Sequence, residues 1–326
     1  MPLIDHPDSR TNGLAGHTEG PVRQFACPQV AYFIFACPKS GTTWLQRLLS
    51  AHPSAPCAES RAFGDYYCDN PLSRPHLTLE KYLQIVSHHF APAVARVAPE
   101  NREFQRTLLF NVLDTLAATA IQATGKRVYG EKLTPYRGTA LPAVQALREY
   151  HPLVKFIHLT RDGRDVIVSG AAQWMNLRLH RATEDQKPIL TRALAARTIG
   201  PEDFEMFLEY WLDAVTAGLK ARELFPNYLH ASYERLVAEP ESQTRRLLEF
   251  LELDSSPEVL RSCLDAASFA KLSGGRARGE EDRHSFFRKG VAGDWPNWFS
   301  VEQTAVFAQR AGDLLRQLDD EAARSF

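Results

Sequence analysis

Three short stretches of the chain carry residue types suited to holding an anion. Lys39-Ser-Gly-Thr-Thr43 places a cation, a glycine and three hydroxyl-bearing residues just ahead of an apolar stripe of Trp44, Leu45, Leu48 and Leu49. Small and hydroxylated residues leading into a helix leave its first N–H groups facing a ligand at the positive end of the helix dipole. Lys39 adds a full charge, so a phosphate-like cluster of oxygens is the ligand expected. A plain tight turn capped by threonine would be spelled similarly, but without the lysine. Because Lys39 precedes Gly41 and the first glycine of G-x-x-x-x-G-K-[ST] is missing, the stretch does not match the nucleoside-triphosphate loop.

The second stretch is Arg161-Asp-Gly-Arg-Asp165, with Ser169 on the helical pattern that follows. Arg161 and Ser169 could converge on one phosphate. Equally, Asp162, Arg164 and Asp165 could pair among themselves as a solvated surface. The third, Arg288-Lys-Gly-Val-Ala-Gly-Asp-Trp295, combines two cations, two glycines and an aromatic residue with no helical or strand periodicity. Such a segment reads as a binding loop, or as a basic loop balanced by Glu280, Glu281 and Asp282.

The elements that must position these stretches follow from apolar patterning. Val30 to Ala36 is a continuous apolar run, as in a strand buried on both faces, and it leads through a turn into a helix over Thr42 to Ser50. Val154 to Thr160, the Arg161–Asp165 turn and a helix through Val166, Ile167, Gly170, Trp174 and Met175 repeat that order. Helices are expected at 78–97, 103–124, 141–150, 203–224, 240–252, 257–266 and 301–318, with a short strand at 127–129 and another at 228–233. Two strand-turn-helix units imply parallel strands with helical crossovers, and the fold class expected is a single α/β domain from residue 26 to 326 behind a flexible arm at 1–25. In open parallel sheets ligands gather at the carboxyl ends of strands. That rule selects Lys39–Thr43, Gly130-Glu-Lys132, Arg161–Asp165 and Tyr233.

Composition narrows the function further. With 38 Lys plus Arg against 39 Asp plus Glu, the 326-residue chain has a formal charge of −1, which argues against a protein that coats nucleic acid or an anionic bilayer. No run of about 18 apolar residues occurs and the amino-terminal stretch has no basic or apolar leader pattern, so no membrane span is expected and a cytoplasmic location is. The five cysteines, Cys27, Cys37, Cys57, Cys68 and Cys263, form no C-x-x-C pair and read as buried thiols. His88 and His89 are adjacent but no H-E-x-x-H occurs, and no structural metal is expected.

Together, Pro38-Lys-Ser-Gly-Thr-Thr-Trp44, Arg161 and Ser169 within T-R-D-G-R-D-V-I-V-S, and Arg288-Lys-Gly290 followed by Gly293-Asp-Trp295 resemble, in order, the nucleotide-binding segments of the sulfotransferases that use 3′-phosphoadenosine 5′-phosphosulfate (PAPS). The resemblance spans about Val30 to Phe299. It implies a central parallel sheet flanked by helices in a P-loop-like arrangement, and a cytosolic-type nucleotide site. Lys39, Ser40, Gly41, Thr42 and Thr43 would grip the 5′-phosphosulfate, with Trp44 and Phe269 on the adenine. Arg161, Ser169, Arg288, Lys289 and Gly290 would hold the 3′-phosphate, and Tyr233 would reach the adenosine. The product would be adenosine 3′,5′-bisphosphate, with no metal required.

Transfer needs an acceptor hydroxyl in line with sulfur, a base, and positive charge on the leaving and transferring oxygens. Lys39 is assigned to the leaving oxygen and Lys132 to the transferring group. The cytosolic branch has a His two residues after that Lys, whereas Lys132 is followed by Leu133 and Thr134, so no histidine base carries over. Ala58-Glu-Ser-Arg61 resembles the E-T-R stretch of the tyrosylprotein sulfotransferases, whose Glu is the base, and Glu59 is assigned that role. Glu131, His88 and His89 are held in reserve. The acceptor is a hydroxylated small molecule or peptide: a phenol, a sugar, a sterol-like alcohol or a tyrosyl peptide. Helices at 78–124 and the stretch 176–201 are expected to wall it, and Phe63, Tyr66, Tyr67 and Phe90 favour a flat or apolar acceptor. A nucleotide-dependent kinase and a non-catalytic nucleotide-binding protein are the alternatives; the first calls for a complete P-loop and a metal-binding carboxylate.

Overall fold

Val30–Phe35 forms β1, and its alternating side chains split between two cores. The computed structural model describes residues 28–60 and 101–324. The expected arm at 1–25, the helix at 78–97, Cys27, Cys68, His88, His89 and the aromatic residues Phe63, Tyr66, Tyr67 and Phe90 lie outside them. The remaining strands are β2 (Cys57–Ala58), β3 (Tyr129–Leu133), β4 (Lys155–Thr160) and β5 (Tyr228–Ser232), all parallel in the order β2-β3-β1-β4-β5. From the central β1 the chain moves out to β2, returns to β3, and then crosses to β4 and β5. The reversal puts a crevice at the carboxyl end of β1.

Helices α1 (Thr42–Ser50), α2 (Asn101–Thr124), α3 (Ala140–Tyr150), α4 (Gly163–Leu179), α5 (Lys187–Ala195), α6 (Pro201–Leu224), α7 (Tyr233–Ala238), α8 (Pro240–Phe250), α9 (Pro257–Ala266), α10 (Phe269–Ser273) and α11 (Val301–Arg324) clothe the sheet. On one face Phe33, Phe35 and Phe156 pack with Leu109, Leu113, Val144, Leu147 and Ala217 of α2, α3 and α6. On the other, Tyr32, Ile34, Ile157 and Leu159 meet Leu45, Leu48, Leu247, Leu248 and Leu260 of α1, α8 and α9. A third cluster joins α4, α6 and α11 through Val166, Ile167, Trp211, Val215 and Phe307. Each fully buried Val, Leu, Ile or Phe side chain among these stabilises by about 1.5–3 kcal/mol relative to exposure. Cys37, Cys57 and Cys263 are buried free thiols within these layers.

The short strand expected at 127–129 lies instead at Tyr129–Leu133, so Gly130, Glu131 and Lys132 belong to β3 rather than following it. A glycine and two charges read as a turn, but each fits the strand for a tertiary reason. A Cβ at Gly130 would lie 1.9 Å from the Tyr32 ring. Glu131 accepts a hydrogen bond from the Tyr129 hydroxyl at 2.7 Å and another from the Ser60 N–H. The 228–233 strand ends at Ser232, whose Oγ caps α7 so that Tyr233 opens that helix.

Candidate functional site

The β1–α1 turn bends through two left-handed residues, Lys39 (φ 76°) and Gly41 (φ 91°). Gly41 is required there twice over, because a Cβ would also lie 2.5 Å from the Tyr233 ring. The Leu45 N–H then bonds the Gly41 carbonyl at 3.0 Å and starts α1, whose first N–H groups have no intrahelical partner. Lys39, Gly41, Thr42, Thr43 and Trp44 line a pocket whose other walls include Arg161, Ser169, Tyr233, Phe269, Arg288, Lys289 and Gly290. Three stretches far apart in the chain therefore meet in one cavity at the carboxyl end of β1. Ser40 is buried just behind it, 1% exposed.

Arg161 is 8% exposed and is fixed from several sides. Its guanidinium donates to the carbonyls of Lys39 (3.1 Å) and Val291 (3.2 Å) and lies 4.5 Å from the Tyr233 ring centroid. Trp211 Nε1 holds its carbonyl at 2.9 Å. Arg161 Nε is buried without a hydrogen-bond partner among the described residues, a donor that an anion in the pocket could engage. The self-paired reading of 161–165 applies to Asp162 and Arg164, which form a 2.6 Å ion pair beside the Trp295 ring. Asp165 does something else: its carboxylate accepts from the N–H groups of Gly293 (2.6 Å), Asp294 (3.0 Å) and Trp295 (3.0 Å), anchoring the third stretch to the second. Burial, partly offset by Arg161 and these N–H groups, leaves the Asp165 carboxyl titrating above its usual range.

The third stretch is also more neutralised than its spelling implies. Arg288 pairs with Glu281 and with Asp294 at 2.6 Å, and Lys289 with Asp294 at 2.6 Å. Burial alone would raise the Asp294 carboxyl, but the bonds from Lys289 and Arg288 outweigh it and hold it at about 2. Phe269 packs against Gly290, where a Cβ would lie 2.3 Å from its ring, and Trp44 Nε1 donates to the Ala267 carbonyl at 2.8 Å. These contacts fix an aromatic flank beside the cations. Phe286 and Phe287, which immediately precede Arg288, also line the pocket and were not singled out from sequence.

Lys39 Nζ donates to Gln173 Oε1 and sits 4.1 Å from the Phe286 ring centroid. Burial, then the nearby charges of Arg161 and Lys132, depress its amine to about 7. Lys132 extends from β3 to 3.3 Å from Thr43 Oγ1 and pairs with Glu59 at 2.7 Å, while the other Glu59 oxygen is 3.4 Å from Thr134 Oγ1. Neither Lys132 nor Glu59 is among the residues that line the pocket: Lys132 touches it through Thr43, and Glu59 through Lys132. Strand alternation sends Glu131 the opposite way, into its bonds with Tyr129 and Ser60, and burial raises its carboxyl.

An apolar cavity opens on the far side of Lys39, lined by Gln173, Trp174 and Leu177 of α4 and Phe207 and Tyr210 of α6, with Tyr136. The expected acceptor wall at 176–201 contributes chiefly to a neighbouring cavity between α4 and α5. Among the described residues no group of three or more His, Cys, Asp or Glu is arranged to hold a metal, and no helix is long and apolar enough to cross a membrane.

Residues 30–319 match the sulfotransferase domain family. Sulfotransferase 1 family member D1 of Mus musculus is 27% identical over 180 residues, covering 52% of this chain and 57% of that protein. Sulfotransferase 2A1 of Homo sapiens is 28% identical over 182 residues, or 50% and 59% of the two chains. Cytosolic sulfotransferase 11 of Arabidopsis thaliana is 32% identical over 190 residues, or 52% and 51%. The matches thus span somewhat over half the length of these relatives. A crystal structure of mouse sulfotransferase SULT7A1 complexed with PAP superposes with a TM-score of 0.53 at 17% identity, over 92% of this chain and 91% of that one, a likeness of fold.

Proposed function

We propose that this chain, which belongs to the sulfotransferase domain family, moves the sulfuryl group of PAPS to the hydroxyl of an apolar, flat acceptor. The observation that carries the reading is the single pocket in which Lys39, Arg161 and the Arg288–Lys289 pair face an aromatic flank of Trp44 and Phe269. A nucleotide with phosphate at both ends of its ribose matches cations split between two places, and an adenine matches the flank. The donor supplies an activated S–O bond, and the chain supplies placement and charge. Lys39, at the turn, faces the leaving phosphate oxygen; Lys132 faces the transferring oxygens across Thr43.

Glu59 is the base in this scheme. It is paired with Lys132 and only partly exposed, so a hydroxyl presented beside Lys132 would lie within reach of its carboxylate. The acceptor enters through the apolar cavity that shares Lys39 with the nucleotide pocket. Its aromatic lining favours phenols and sterol-like alcohols over sugars. Incubation with sulfur-labelled PAPS and a panel of hydroxylated acceptors, read by mass spectrometry in EDTA, tests this directly. Labelled sulfate should appear on aromatic or polycyclic alcohols, and Glu59→Gln should lower turnover about 10²- to 10⁴-fold while the bisphosphate still binds. Transfer of phosphate from ATP that stops in EDTA would favour a kinase. Tight bisphosphate binding with no acceptor turned over would favour a non-catalytic role.

A further inference from the structure

The cations of the nucleotide pocket are unequally free. Lys39 donates to Gln173, Arg161 to two carbonyls, and Arg288 and Lys289 share the Asp294 carboxylate, with Glu281 as a second partner for Arg288. Arg278 also lines this pocket, and it has no hydrogen bond or ion pair among the described residues. Its side chain is exposed, but its backbone neighbours are not loose. The Gly279 N–H bonds the Lys289 carbonyl at 2.9 Å. The Arg276 guanidinium donates to the carbonyls of Glu280 (3.0 Å) and Arg288 (2.9 Å) and to Ser285 Oγ (2.9 Å). The segment carrying Arg278 is therefore stapled alongside Arg288-Lys-Gly290.

A phosphate approaching Lys289 and Gly290 meets two cations that share the single Asp294 carboxylate, so their charge is partly offset. We propose that Arg278, which lines the pocket with no carboxylate partner among the described residues, binds the phosphate on the ribose 3′ position and thereby strengthens the preference for nucleotides that carry one. The inference rests on the PAPS reading and adds a residue to it. A guanidinium is suited to the task because its fork can meet two phosphate oxygens at once.

The test is calorimetric titration of the full chain with adenosine 3′,5′-bisphosphate and with adenosine 5′-monophosphate, for wild type, Arg278→Gln and Arg278→Lys. Arg278→Gln should bind the bisphosphate about tenfold or more weakly, the range for losing a charge-assisted bond, and the monophosphate within about twofold of wild type. Its melting temperature should match wild type, because the exposed side chain makes no hydrogen bond or ion pair with another described residue. Arg278→Lys should recover part of the loss, and the salt dependence of bisphosphate binding should be shallower for Arg278→Gln by about one charge. If wild type prefers the bisphosphate and Arg278→Gln keeps that preference in full, or loses affinity equally for both ligands, the role of Arg278 is overturned while the PAPS reading stands. If wild type itself holds the two ligands equally, the PAPS reading fails and the inference fails with it.

Discussion

Lys39 sits in a conflict that a ligand resolves. Burial and the proximity of Arg161 and Lys132 disfavour its charged form and bring it to about 7, although a neighbouring anion is what its position suits. Above pH 7 the free protein therefore holds the amine largely neutral, whereas a bound phosphate would restore the proton. Binding of adenosine 3′,5′-bisphosphate at pH 8 should take up a substantial fraction of one proton, and affinity should fall as pH rises further. Calorimetry in two buffers of different ionisation enthalpy measures the uptake, and Lys39→Met should abolish it. Wild-type binding with no uptake at pH 8 would contradict the assignment. The lysine itself was legible from its turn. Its weakened basicity was not, because that depends first on burial and then on Arg161 and Lys132, which only the folded sheet brings near. The E-T-R resemblance ranks Glu59 ahead of Glu131, and β3 alternation supplies a physical difference between them: Lys132 reaches Thr43 and Glu59, while Glu131 is committed to Tyr129 and Ser60.

At the scale of elements, the third stretch has no regular structure beyond a short turn at Trp295–Asn297 and depends on α4 for its place. Asp165, on the first turn of α4, collects three of its N–H groups. Asp165→Ala leaves the buried Asp294 N–H unpaired, which costs about 1–3 kcal/mol, and frees the part-buried Gly293 and Trp295 N–H groups at smaller cost. Thermal melting should show a loss of several degrees, and bisphosphate affinity should drop with it as Arg288 and Lys289 lose their placement. Asp165→Asn keeps an oxygen where Asp294 and Trp295 donate but turns its NH2 toward the Gly293 N–H and Arg161, so it should melt between Asp165→Ala and wild type. Equal melting of Asp165→Ala and wild type would rule out the anchoring role. The sequence showed the R-D-G-R-D run but not this division of labour, since Asp162 and Asp165 differ only in which way the helix turns them. Strands β1 and β4 were readable because their apolar runs are continuous. The two-residue β2 and the charged β3 were not, being set by partners in the sheet.

Across the whole molecule, the order β2-β3-β1-β4-β5 does the assembling. It places the ends of β1, β3, β4 and β5 side by side, and so brings together Lys39, Lys132, Arg161 and Tyr233. The α/β class and the parallel sheet could be read from patterning, and the three stretches that meet at one pocket from their residue types and the family resemblance. The apolar cavity between α4 and α6 could not, since Gln173, Phe207 and Tyr210 are ordinary helical residues until two helices face each other. On the PAPS reading proposed above, charge at both ends of one ribose would separate this pocket from a general adenine nucleotide site. Titration calorimetry of adenosine 3′,5′-bisphosphate against ATP, each binding the wild-type chain without added metal, measures it most directly. The account predicts that the bisphosphate binds at least about a hundredfold more tightly, the margin of one or two charge-assisted phosphate contacts; equal affinities would contradict it.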